Sequence, residues 1–161
     1  MSTDRQARFE SLLAEHAGIV GKIAGIYARG PEERRDLQQE IATQLWRAFE
    51  RYDERLGKFS TWMYRIALNV AISHLRRART FEPLDGDDVA AAETERDDRA
   101  GALYACIRAF EPLDRALILL YLEDRSYGEI AEVLGISEAN VATKLTRLRN
   151  RLREQLTGAS S

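Results

Sequence analysis

The chain has 161 residues, 45% of them hydrophobic and 31% charged, with a formal net charge of −2. That makeup fits one or two small globular domains, and no apolar stretch approaches the roughly 20 residues that a membrane helix needs. The first residues lack a signal-peptide core, and one cysteine, Cys106, excludes an internal disulfide, so a cytoplasmic protein without membrane insertion is expected.

Helical periodicity runs through the whole chain and predicts an all-α protein. A first helix is expected over 9–29, ending where Gly30 and Pro31 block continuation. A second starts at Glu32 or Asp36 and runs to Tyr52, with Leu37, Ile41, Leu45, Ala48 and Phe49 as its core side. Asp36, Gln39, Glu40, Thr43, Arg47 and Glu50 share its polar side, with Trp46 at the edge. Spacing alone leaves Trp46 open between an interface anchor and a ring packed under a neighbour. A loop follows over 53–58, then a helix over 60–79 with Met63, Ile66, Ala67, Val70 and His74 as the predicted core stripe. Trp62, Arg65, Asn69, Ser73 and Arg76 recur on another face, with Arg77 beside it. An aromatic among cations and amides suits single-stranded nucleic acid, whose bases stack on rings while cations track phosphates. The arginines at the helix end also suit its dipole, so a purely local role stays open.

The average charge hides a pattern. Residues 1–79 carry 14 basic and 10 acidic side chains, 80–100 carry 2 and 8, and 101–161 carry 8 of each, five of the cations lying from Lys144 to Arg153. The acidic stretch at 80–100 reads as a flexible linker between two small helical domains, an N-terminal bundle and a C-terminal module. Its charge could shield a basic surface when nucleic acid is absent. Helices are then expected over 102–110 and 112–122, and Cys106, set among apolar neighbours, should be a buried structural thiol.

Residues 126–153 have a helix-turn-helix pattern, whose second helix enters the DNA major groove. Ser126 and Glu129 form a capping box, Ile130, Val133 and Leu134 supply the apolar side, and Gly135 sits at the turn with Ile136 anchoring it. Ser137 can cap the next helix. Val141, Leu145, Leu148 and Leu152 form one buried stripe, and Asn140, Thr143, Lys144, Arg147 and Arg151 cluster on a different face. Those side chains suit phosphates and base edges. An ordinary helical hairpin with a solvated basic face is the plainer alternative.

Three segments together resemble the extracytoplasmic function (ECF) group of bacterial sigma factors. Asp36-Leu-Gln-Gln-Glu40 resembles the motif that begins the polymerase-clamp helix. Phe59-Ser-Thr-Trp-Met-Tyr-Arg-Ile-Ala-Leu-Asn69 resembles the helix that opens and reads the −10 element. Leu134-Gly-Ile-Ser137, followed by Val141, Lys144, Leu145 and Arg147, resembles the −35 reader. The resemblance implies a region 2-like domain over 1–79, a linker over 80–100 and a region 4-like domain over 101–161. It implies that Asp36, Gln39, Glu40 and Trp46 contact core RNA polymerase at the clamp. Leu56, Gly57, Lys58, Phe59, Trp62, Arg65 and Asn69 would meet the −10 element, with a flipped base held at the loop. Asn140, Thr143, Lys144 and Arg147 would meet the −35 element. The pattern departs from the family at Ala142 and Thr146, where a basic residue and a histidine are common.

The expected function is therefore promoter-specific initiation with core polymerase, on duplex and single-stranded promoter DNA. An anti-sigma protein is a further partner that the resemblance implies. The alternatives are a stand-alone dimeric helix-turn-helix regulator, which predicts palindromic sites, and a helical adaptor that binds proteins alone. An enzyme is not expected, nor a cofactor, metal or small-molecule substrate. His16 and His74 are far apart without ligand partners, and no phosphate loop or activated nucleophile is present.

Overall fold

The computed structural model describes residues 2–81 and 98–159, and all regular structure among them is helical. The chain divides into two compact units, Met1–His74 and Leu75–Ser161. The linker expected over 80–100 lies mostly outside the described residues, and with it the shielding role. Its ends are helical, since one helix runs to Phe81 and the next starts at Asp98.

The first unit holds α1 (Ser2–Glu15), α2 (Ala17–Tyr27), α3 (Gly30–Ala48), a 3-10 turn (Phe49–Arg51) and most of α4 (Phe59–Phe81). The single helix expected over 9–29 is thus two. The break is His16, at φ −120 and ψ 31. Its Nδ1 donates to the Leu12 carbonyl at 3.0 Å and its ring lies 5.4 Å from the Phe59 ring. A carbonyl only accepts, so Nδ1 carries the proton. The second element begins at Gly30, whose φ of +79 favours glycine, and the Glu33 carboxylate accepts the Arg29 amide at its first turn.

α2 lies along α3, burying Ile19, Ile23, Ala24, Ile26 and Tyr27 against a side made by Leu37, Ile41 and Leu45. Each of the buried isoleucines and leucines contributes about 1.5–3 kcal/mol. Ala48 is half-buried, and Phe49 completes the row. On α4 the buried stripe is Met63, Tyr64, Ala67, Leu68, Ala71, Ile72 and Leu75. Ile66, Val70 and His74, expected in that stripe, are half-buried. The true stripe stands opposite the exposed Arg65, Asn69, Ser73 and Arg76, which turns the core side toward Tyr64 and Leu68. His74 lies instead between two carboxylates, with Nε2 3.5 Å from Glu33 and Nδ1 3.9 Å from Glu40.

The second unit holds α5 (Asp98–Arg108), α6 (Pro112–Leu122), α7 (Tyr127–Leu134) and α8 (Glu138–Ala159). α6 is apolar nearly all round and is the centre, with Ala116 to Leu120 all buried. It closes with Asp124 at φ 61 and the Arg125 amide donating to the Leu120 carbonyl, a left-handed cap made with aspartate. Arg115 is also buried, at 6% exposure. Its Nε donates to the Phe110 carbonyl at 2.8 Å and a terminal nitrogen donates to the Arg108 carbonyl, so it closes the end of α5. Cys106 is half-buried, not enclosed as expected, and burial pushes its thiol up.

The turn between α7 and α8 is built locally. The Ser126 hydroxyl accepts the Glu129 amide at 3.1 Å and the Ser137 hydroxyl accepts the Asn140 amide at 3.1 Å. Gly135 has φ +70 and its amide donates to the Ala131 carbonyl. A Cβ there would meet nothing within 4 Å, so Gly135→Ala is strained by backbone alone. We expect it to cost about 1–2 kcal/mol and to lower the thermal midpoint of this unit. An unchanged melt would show that the turn relaxes freely.

Candidate nucleic-acid interface

The exposed face of α4 carries Arg65, Asn69, Ser73 and Arg76, with Arg77 also exposed. At steps of four and three these form one line of cations and hydrogen-bonding groups. Trp62 leads the line and is half-buried. Its ring centre lies 5.1 Å from Tyr52, 5.2 Å from Phe59 and 6.1 Å from Phe49. Phe59, expected to meet DNA, is 6% exposed. It is a support that fixes the Trp62 ring, because an aromatic flanked by other rings has few ways to turn.

The loop before α4 is shaped by its own side chains. Asp53 accepts the Arg55 amide at 3.0 Å, and its two oxygens accept the Arg55 guanidinium at 3.1 Å each. That guanidinium holds the Asp53 carboxyl below its usual range. The Leu56 amide donates to the Asp53 carbonyl. Leu56, Gly57 and Lys58 are left exposed, and Leu56 is bare at 81%. Tyr52 stands at the base of this loop. Burial first, then Glu54, pushes its phenol up, Arg8 pulls it down and Asp53 adds a smaller upward push.

On α3, Asp36, Gln39, Thr43 and Arg47 are exposed on one side. Glu40 is half-buried beside His74. Trp46 is half-buried too: α1 covers it, with the Phe9 ring at 5.2 Å and the Arg5 guanidinium 4.9 Å from its ring centre. Of its two open readings, Trp46 is in large part a ring packed under a neighbouring helix.

In the second unit Val141, Leu145, Leu148 and Leu152 are buried. Asn140, Thr143 and Arg147 are exposed and Lys144 is half-exposed on the other side of α8. Arg151 was expected with them, but its guanidinium lies 4.9 Å from the Phe110 ring centre, engaged within the unit. Arg149 is similarly placed over Tyr121 at 5.0 Å. The Thr146 hydroxyl donates to the Ala142 carbonyl at 2.9 Å, so its polar group turns back onto its own helix.

Sequence reasoning missed three participants. Tyr52 was read as the end of a helix and Phe49 as core alone, whereas together they form the aromatic floor beside the loop. Arg8 was not singled out, although its terminal nitrogen pairs with Glu54 at 2.9 Å. An arginine one residue before the buried Phe9 was the available signal. Among the described residues no group of three or more metal-ligating side chains gathers, and no helix is long and apolar enough to cross a membrane.

Comparison with known proteins bears on both units. The family model for sigma-70 region 2 matches residues 12–81, and that for sigma-70 region 4 matches residues 100–152. The chain is 30% identical to the RNA polymerase sigma-H factor of Pseudomonas aeruginosa, over 84% of this chain and 80% of that one. It is also 30% identical to the ECF RNA polymerase sigma factor SigE of Mycolicibacterium smegmatis, over 95% of this chain, and spans 63% of that protein's length. Its fold is similar to that of the sigma factor RpoE in a complex with the anti-sigma factor NepR from Bartonella quintana. The TM-score is 0.76 at 18% identity, covering 93% of this chain and 97% of that one.

Proposed function

The chain belongs to the sigma-70 family, and from that membership we propose that it is of the ECF group, like the SigE relative, and that it binds core RNA polymerase and directs it to promoters. The observation that carries the proposal is the face of α8 opposite its buried stripe, with Asn140, Thr143, Lys144 and Arg147 turned outward. These would read the −35 element in the major groove, each good base contact giving about 1–3 kcal/mol of discrimination. Arg151, held over Phe110, is left out of that set.

The α4 line of Arg65, Asn69, Ser73 and Arg76, with Arg77 and the Trp62 ring, would follow the opened −10 strand. Leu56, Gly57 and Lys58 would receive a base drawn out of the stack. Extruding a base costs a few kcal/mol, which stacking and apolar contact at the loop must offset. Asp36, Gln39 and Glu40, with the open edge of Trp46, would meet the polymerase clamp. Two weak readers on one chain raise each other's effective concentration. We assign the chain no catalysis of its own and a place in the cytoplasm beside the polymerase. The relative described above with an anti-sigma factor makes such a protein a candidate partner here. A stand-alone dimeric regulator would leave the whole first unit without a task.

Run-off transcription tests this. Core polymerase and the full chain, given a library of genomic fragments, should yield discrete start sites that core polymerase alone does not. No specific product, or no association with core polymerase, would overturn the proposal.

A further inference from the structure

We propose that Arg8, on α1, is a positioning residue for the loop over 53–58 and through it sets base preference at the −10 element. This rests on the loop being the −10 reader. Arg8 pairs with Glu54 at 2.9 Å, two residues before the exposed Leu56. Its guanidinium carbon lies 5.9 Å from the ring centres of both Phe49 and Tyr52. One cation therefore joins the loop to the aromatic floor that also carries Trp62.

The helix bearing Arg8 is anchored on both sides of it. Phe9 is buried against Trp46 and Phe49, at 5.2 and 5.1 Å between ring centres. Arg5 pairs with Glu50 at 3.3 Å and covers Trp46. The loop has its own internal clasp through Asp53 and Arg55. Among the described residues, the Arg8–Glu54 pair is the ion pair that ties the loop to another helix. Without it, the turn keeps its shape through Asp53 but loses the ion pair that ties it to α1 beside Tyr52. A reader that sorts bases by shape is sensitive to a displacement of that turn.

The pair is half-exposed, with side chains 50% and 70% accessible, so its influence is bounded. An exposed pair supports about a two- to fivefold change in preference, and raised salt should weaken it.

The test uses the full chain with core polymerase and a pool of templates randomised across the −10 element, its transcripts sequenced. Arg8→Glu and Glu54→Arg each place like charges together. Each should change base preference at one or two positions by about two- to fivefold, and the R8E/E54R double variant should return toward the original preference. A general loss of folding would lower total transcript without changing preference and would not be rescued by the swap. Unchanged preference in both single variants, or a double variant that fails to recover, overturns the proposal. If the unmodified chain selects no −10 sequence from the pool, the reading of the loop fails first and this inference fails with it.

Discussion

Arg115→Ala should melt the C-terminal unit well below the unmodified protein. The side chain is 6% exposed and its guanidinium closes the Phe110 and Arg108 carbonyls at the end of α5. Alanine leaves one buried and one part-buried acceptor without these donors, and an orphaned buried group costs about 1–3 kcal/mol. A unit of this size is stable by only about 3–9 kcal/mol. A loss of about 2–4 kcal/mol corresponds to a fall of roughly 10–25 °C in midpoint. Lysine should recover part of the loss, since an ammonium can serve one carbonyl but lacks the planar fork. The protein supplies its own control. Both tryptophans, Trp46 and Trp62, lie in the first unit. Tryptophan fluorescence should therefore keep its original transition while far-ultraviolet circular dichroism shows the early one. A shift below about 3 °C would mean that water or a rearranged chain satisfies both carbonyls.

Arg147→Ala should do the opposite, leaving the melt alone and removing promoter use. Arg147 is exposed, and no ion pair holds it among the described residues. Its loss should therefore stay within about 0.5 kcal/mol of neutral for folding. At a base edge, arginine to guanine is the commonest specific contact, and its loss costs about 1–3 kcal/mol, or roughly 5- to 150-fold in −35-dependent transcription. The pattern of the loss identifies the contact. A base contact gives a defect confined to templates with the preferred base, whereas a phosphate contact weakens all templates alike and flattens the salt dependence. Transcription within about twofold of the unmodified level would remove Arg147 from the −35 reader.

What could be read from the sequence was what local chemistry decides. The turn at Gly135 and its two serine caps depend on neighbours three residues away, so they were visible in order along the chain. The same holds for the leucine row of α8 and the proline start of α6. The break at His16 was not visible in the periodicity; its ring bonds the Leu12 carbonyl and lies beside Phe59, more than forty positions later. The surroundings of His74 and Arg151 were hidden for a related reason. Periodicity assigns a residue to a side of a helix but cannot say that Glu33 and Glu40, or Phe110, will be waiting there. Phe59 was placed on DNA by its motif, although the aromatic floor of Phe49 and Tyr52 draws it inward. The exposed line on α4 was legible because polar and charged side chains recur at helical spacing, and its opposite core side was misjudged by taking Ile66 and Val70 ahead of Tyr64 and Leu68.

The clasp between Asp53 and Arg55 bears on timing. With backbone amide and guanidinium both held by one carboxylate, the tip at Leu56 has its shape before any strand arrives. Association that requires no folding of the receptor escapes the ordering penalty and the delay that comes with it. If the loop receives a base as proposed, the pace at which bases are sampled would belong to the duplex, through its own breathing. A mismatched base would be released as soon as the helix recloses.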